Sequence, residues 1–286
     1  MSTAVVTDTN SGIYEAEGKE LGIRVVPMPI IAGETTYYEG LTITHEEFFD
    51  LLKSGTPVKT SQPEPGSVTD VWDSVLKEYD DLVYIPMSSG LTGSVQTARI
   101  LAEDYNGRVQ VADNHRISVT QRHAVMDAIA MVESGMNAAQ IRNILEQTAY
   151  ESIVFIAVED LTYLKRGGRI TPAVATIGSI LNIKPLMVIR GEKLDQFATV
   201  RGTKHCRKRE VEALREEAEK LKAKGFRIRI GAAGSFADPA DGEAWAEQIR
   251  EAFPGEEVHY DPLSYSIACH TGPDAFGCGV SLVYER

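Results

Sequence analysis

The chain has 286 residues, 43% apolar and 24% charged, an ordinary globular composition long enough for two domains and unlike a disordered segment. Its net charge of −12 argues against a phosphate-backbone partner, because nucleic-acid affinity rests on Lys and Arg neutralising phosphates, and against a polybasic membrane anchor.

Five runs read as strands in the first half: Ala4 to Asp8, Ile23 to Ile31, Leu82 to Met87, Val109 to Ala112 and Ile153 to Val158. Amphipathic helices separate them. Thr44 and Glu47 form a capping box ahead of Phe48, Leu51 and Leu52. Ser67 with Asp70 opens a second helix, whose Val68, Val71, Trp72, Val75, Leu76 and Tyr79 recur at helical spacing. Such alternation predicts a mostly parallel, Rossmann-like sheet covered on both faces.

After Asp160 the texture changes. Lys165 to Arg169 reads as a flexible basic junction, then Lys184 to Arg190 and Leu194 to Thr199 as a hairpin turning at Gly191-Glu192-Lys193. A helix is predicted from Cys206 to Lys224, stopped by Gly225. Strands follow at Ile228 to Ala232, Val258 to Asp261 and Val280 to Tyr284, with a helix opened by Asp238-Pro239 and carrying Trp245, Ile249 and Phe253. The fold expectation is therefore α/β in two domains: residues 1–160 around the parallel sheet, and residues 161–286 as an α+β domain with an antiparallel-rich sheet.

No basic n-region precedes an apolar stretch at the N-terminus, and the most apolar segment, Ile170 to Ile189, is broken by Pro172, Gly178, Lys184 and Pro185. Three cysteines without a C-x-x-C pair suit a reducing compartment. A cytoplasmic protein without a membrane span is the expectation, with no metal and no cofactor, since zinc-type spacing, a Walker A loop and a dinucleotide fingerprint are all missing.

Ligands of open α/β sheets sit at the strand carboxyl ends. There the loops Thr7 to Ser11, Thr60 to Pro63, Ser88 to Ser94 and Asp113 to His115 supply hydroxyls and amides but few cations. Two glycines and a helix start near Thr92 make the Ser88 to Ser94 loop an anion-site candidate, a carboxylate above all; equally, Thr92 reads as an ordinary N-cap. His270 is the best acid/base candidate, although a lone His in a turn is commonly structural. Paired with Ser88 or Ser89 it would make a hydrolase or small-molecule phosphotransferase, a reading weakened by the missing G-x-S-x-G elbow. The basic run Arg201, Lys204, Arg207, Lys208 and Arg209 reads as a solvated helix start or a docking patch.

Seven motifs in order then resemble the DegV family of bacterial lipid-binding proteins. They are Thr7-Asp8 with Ser11, Thr60-Ser61-Gln62-Pro63, Ser88 to Ser94, Asp160 to Arg169, Leu181 to Pro185, Arg201-Gly202 and His270 to Pro273. The resemblance implies a long-chain fatty acid between the two domains. It implies carboxylate contacts at Ser61, Thr60 and Thr92, with the Gly93 and Ser94 amides nearby. It further implies a separate ATP-binding kinase subunit as partner, which phosphorylates the bound carboxylate for phospholipid synthesis, with Arg169 and His270 at that step. Thr92 and Ser94 stand where the family more often has Ser and Thr, Asn114 where Ser is common, and Asp274 where Gly is frequent; a charge at Asp274 facing the site would oppose an anion. A sixteen-carbon tail has fourteen CH₂ groups worth roughly 11 kcal/mol before association costs. Ile170, Val174, Ile177, Ile180, Leu181 and Leu186 are candidate tunnel or core residues.

Overall fold

The computed structural model describes residues 2–175 and 183–285. Its elements begin with β1 (Thr3–Asp8), α1 (Glu15–Glu20), β2 (Arg24–Val26), β3 (Pro29–Ala32) and β4 (Thr35–Tyr38). Next come α2 (His45–Lys53), β5 (Val58–Thr60), α3 (Pro65–Val75), β6 (Asp81–Ile85), α4 (Ser94–Ala102) and β7 (Val109–Val111). The middle of the chain supplies α5 (Ser118–Glu133), α6 (Ala138–Gln147), β8 (Ser152–Ala157), α7 (Leu161–Gly167) and α8 (Pro172–Ala175). The remainder is β9 (Ile183–Ile189), β10 (Asp195–Arg201), α9 (Thr203–Ala223), β11 (Ile228–Gly234), α10 (Pro239–Ala252), β12 (Val258–Pro262), α11 (Tyr265–Thr271) and β13 (Phe276–Leu282).

These strands form three sheets. A parallel sheet has the order β2-β1-β6-β7. A mixed sheet has the order β10-β9-β8-β13-β11-β12, antiparallel throughout except for the β11–β12 pair. The third, β4-β3-β5, is small and antiparallel. The α/β class with a parallel and an antiparallel-rich sheet is the one expected.

The layers follow from which faces are apolar. Val68, Trp72 and Val75 of α3 and Val95 and Ala98 of α4 cover one face of the parallel sheet. Its other face meets α5 and α6 through Ala124, Val125, Ala128, Ile141 and Leu145. Helix α5 is buried along most of its length because it also packs on β8, β11, β12 and β13. A helix sandwiched between two sheets shows no clean apolar stripe, and α5 buries Ser118, Thr120, Gln121, His123 and Asp127 along with its apolar residues. The far face of the mixed sheet is closed by α9 and α10 through Leu214, Ala218, Trp245 and Ile249.

Several expectations shift. The run Ile23 to Ile31 is two strands in different sheets, because prolines at 27 and 29 cannot donate to one continuous ladder. Helix α3 starts at Pro65 in its first turn, with no side-chain cap from Glu64, so proline's fixed φ makes the start and not Ser67. The Thr44–Glu47 box forms as read: Thr44 N donates to Glu47 Oε2 at 2.8 Å and Glu47 N to Thr44 Oγ1 at 3.3 Å. Helix α4 begins at Ser94, not Thr92, and the last strand four residues earlier than expected. The run Ile153 to Val158 was assigned to the first half; β8 instead lies inside the mixed sheet, so by sheet membership the chain changes sheets before Ser152. The basic junction is a helix, α7, ended by Gly168 at φ 66° with its N–H on Leu164 O.

Candidate functional site

The loops after the parallel strands are tied together by one buried carboxylate. Asp8 Oδ1 accepts from Asn10 N and Gln121 Nε2, both at 3.0 Å, and its Oδ2 accepts from Met87 N at 3.0 Å. Burial raises its pKa against the pull of these donors. The Asp8 carboxyl thus fixes the first and third loops relative to α5.

Two neighbouring cavities that share lining residues lie where these loops meet the mixed sheet and the small sheet. One has a volume of about 650 Å³ and is lined by Leu52, residues 55–60, Tyr163, Arg166, Gly167, Arg169, Cys269 and His270. The other is a narrow channel of about 70 Å³. Its lining is mainly apolar, with Met28, Met87, Leu91, Ile117, Ile156, Leu164, Ile189, Leu194 and Ile267, and its polar residues are Asn10, Thr60, Ser61, Gln62, Thr92, Arg169, Ser266, His270 and Thr271. Thr60, Arg169 and His270 line both. A larger cavity lined by three cations beside a mainly apolar channel, the two sharing three polar side chains, suits an amphiphile.

Thr60 ends β5, and its Oγ1 lies 2.8 Å from His270 Nε2 on α11. The ring is admitted by the glycine at 167, where an added Cβ would overlap His270 at Nδ1. Arg169 Nη1 donates to Gly167 O, and Arg169 O accepts from Leu194 N at 2.9 Å. Burial, and after it the Arg169 charge, lower the His270 pKa to about 4, so the imidazole is neutral at pH 7. Ser61 is exposed at the channel mouth with its hydroxyl on Gln62 O at 2.9 Å. Thr92 Oγ1 lies 2.9 Å from Ser94 Oγ and accepts from Ser94 N at 3.2 Å. Gly93 and Ser94 are outside the cavity lining, and the Ser94 amide is occupied by Thr92.

The structure argues against Ser88 as a nucleophile and pairs His270 with neither serine. Ser88 is fully buried and donates to Gly191 O at 2.5 Å, while the Ser89 amide donates to Asp113 Oδ1 at 3.2 Å. His270 faces Thr60 instead. Gly90 serves a close approach, but to the hairpin: an added Cβ would lie 2.5 Å from Gly191 O.

Of the apolar residues read as tunnel or core, Leu186 packs toward α9 on the far side of the mixed sheet, and Ile170 and Val174 lie in the core cluster that also holds Ile156, Leu164, Ile189 and Leu194, the four that line the channel. Ile177, Ile180 and Leu181 lie outside the described residues. Asp274 is exposed, and the acidic groups acting on it are Glu159 and Asp241; the charge felt by His270 is Arg169. Two cations escape sequence reasoning: Lys59 and Arg166 line the larger cavity together with Arg169, brought from β5 and α7, elements that read as connection and flexible junction. Among the described residues no three His, Cys, Asp or Glu side chains gather to hold a metal ion, and no helix is long and apolar enough to cross a membrane.

Fold and site together define a class: a multi-sheet α/β protein whose cleft is polar at one end and a hydrocarbon-like channel at the other. The chain belongs to the DegV family, described as a family of uncharacterised proteins, whose profile matches residues 2–283. A DegV domain-containing protein of Deinococcus radiodurans is 29% identical, covering 97% of each chain. Protein DegV of Bacillus subtilis is 27% identical over 97% of this chain and 98% of its own. Among solved structures, that of the fatty acid binding of a DegV family protein from Thermus thermophilus is 31% identical with a TM-score of 0.88, covering 99% of this chain and 100% of that one. DegV from Bacillus subtilis, described as a fatty acid binding protein, is 25% identical with a TM-score of 0.85 over 99% of both chains.

Proposed function

We propose that the chain binds a long-chain fatty acid, its carboxylate among Thr60, Ser61 and Thr92 beside His270 and Arg169, its tail in the apolar channel. The observation that carries this reading is that cavity and channel share Thr60, Arg169 and His270. Relatives described as fatty acid binding support it. Affinity comes from the tail, at ~0.8 kcal/mol per buried CH₂. The hydroxyls and Arg169 supply orientation, since a buried carboxylate without partners costs several kcal/mol. The channel must widen to take a tail, because sites that enclose small ligands measure roughly 300–1,000 Å³.

The larger cavity gives this reading its second part: the bound carboxylate is presented to a separate ATP-binding kinase subunit, in the cytoplasm. A carboxylate oxygen attacks the γ-phosphorus, ADP leaves, and an acyl phosphate results. Lys59, Arg166 and Arg169 supply positive charge where a phosphoryl group would approach, and none of them is a nucleophile in the step. Gly93 and Ser94 would join the head-group contacts only if Ser94 N exchanged Thr92 Oγ1 for the carboxylate.

Oleate affinity of the Ser61→Ala/Thr92→Ala double variant tests the binding site. Each hydrogen bond to a charged group contributes ~1.5–3 kcal/mol, so loss of two lowers retention by at least roughly a hundredfold. Wild-type affinity in the double variant would overturn the head-group placement. With a kinase subunit and ATP, hydroxylamine should trap an acyl hydroxamate; none from oleate-loaded protein would overturn the presenting role alone.

A further inference from the structure

Glu39 follows β4 and is only 3% exposed. Its Oε1 accepts from Tyr14 Oη at 2.6 Å and from Tyr265 N at 2.7 Å. Its Oε2 is buried without a hydrogen-bond partner among the described residues. Tyr265 is the first residue of α11, and Phe48 of α2 stacks on its ring at 4.2 Å. Only five residues further on, α11 carries His270, and Ile267 and Thr271 of the same helix line the channel. Glu39 therefore grips the start of the short helix that forms one wall of the cleft.

We propose that Glu39 is a positioning residue of this cleft: neutral, it holds α11 against the small sheet in the binding geometry, and ionised, it releases α11 and with it the bound acid. This rests on the fatty-acid reading above. Geometry makes the two states different. The neutral carboxyl fits a site with one oxygen unpaired, whereas a carboxylate there needs donors for Oε2 that water must supply by loosening the contacts Glu39 makes with its neighbours. Burial raises the Glu39 pKa to about 8, against the Tyr14 and Tyr265 donors.

The other titratable groups facing it come from three sides. Tyr14 precedes α1, and Tyr265 and Cys269 lie on α11; burial raises all three, so they stay neutral through this range. Glu15 on α1 is drawn down by Lys19 and stays ionised. Asp261, at the end of β12, acts on Tyr14, and His45 on α2 stands 6.3 Å from the Tyr265 ring. An acid whose pKa is raised in the closed form favours closure at low pH. That preference falls by up to about tenfold per pH unit from the ordinary carboxyl range to about 8, and levels off above it.

The test is the oleate dissociation rate of the full chain from pH 6 to 9.5. Wild type should release oleate faster as pH rises to about 8 and then level off, whereas Glu39→Gln should lose that rise. Tyr14→Phe removes a donor that stabilises the carboxylate, so its plateau should move to higher pH, and it covers the case of Glu39→Gln failing to fold. Glu15→Gln and His45→Gln should keep the wild-type profile. Identical profiles for wild type, Glu39→Gln and Tyr14→Phe would overturn the proposal while leaving fatty-acid binding intact. Absence of oleate binding in all of them would overturn the functional reading instead.

Discussion

Gly167 and Gly168 stand side by side and serve opposite ends. Gly167, the last residue of α7, leaves room for the His270 ring, while Gly168 at φ 66° ends the helix with nothing within 4 Å of an added Cβ. Gly167→Ala gains up to ~1 kcal/mol of helix propensity but loses a comparable amount with the Thr60–His270 hydrogen bond, so it should leave the melting temperature nearly unchanged and weaken oleate about tenfold by displacing the ring. Gly168→Ala should do the reverse, costing ~1–2 kcal/mol of stability for a left-handed non-glycine and leaving affinity alone. Thermal unfolding and oleate titration of both variants check this; matching losses in both would contradict it. His270 itself should report the head group. Its pKa of about 4 in the free site rises when a carboxylate arrives, so binding takes up protons increasingly as the pH falls toward that free-site value. Calorimetry in two buffers of different ionisation enthalpy measures that uptake, and His270→Gln should lose it.

At the scale of elements, the site depends on loops clasped from the other half of the chain. Ser88 Oγ on Gly191 O, with His115 stacked on Tyr150 at 4.9 Å and 3.8 Å from Glu192, fastens the strand-end loop to the β9–β10 hairpin. Ser88→Ala should cost ~1 kcal/mol in chemical denaturation and leave oleate bound; a hydrolase built on Ser88 would instead lose all activity there. Some of this was legible and some was not. The Thr44–Glu47 cap and the hydroxyl-rich loops are local, so they read directly from residues three to seven apart. The small sheet was not: β3, β4 and β5 are three or four residues long, prolines interrupt them, and each is a strand only because its neighbours are. Helix α7 hid behind two glycines that look like flexibility but act as a ring pocket and a cap.

On the scale of the whole molecule, the alternation of strands and helices predicted the α/β class, because a parallel sheet must be covered on both faces. It misassigned β8, since an apolar run buried on both faces carries no mark of which sheet it joins. The cleft had a similar fate. Thr60, Ser61, Thr92, Arg169 and His270 could be named in advance, but Lys59 and Arg166 became site residues only when the small sheet and α7 folded around the cavity. The net charge of −12 thus conceals a local excess of positive charge beside a mainly apolar channel. Gentle native mass spectrometry of protein purified from cells, followed by solvent extraction, tests most directly whether this channel holds a fatty acyl tail. One long-chain fatty acid per chain is expected, removable by extraction and replaced on adding oleate or palmitate; a chain free of lipid that takes up neither acid would rule the tail out.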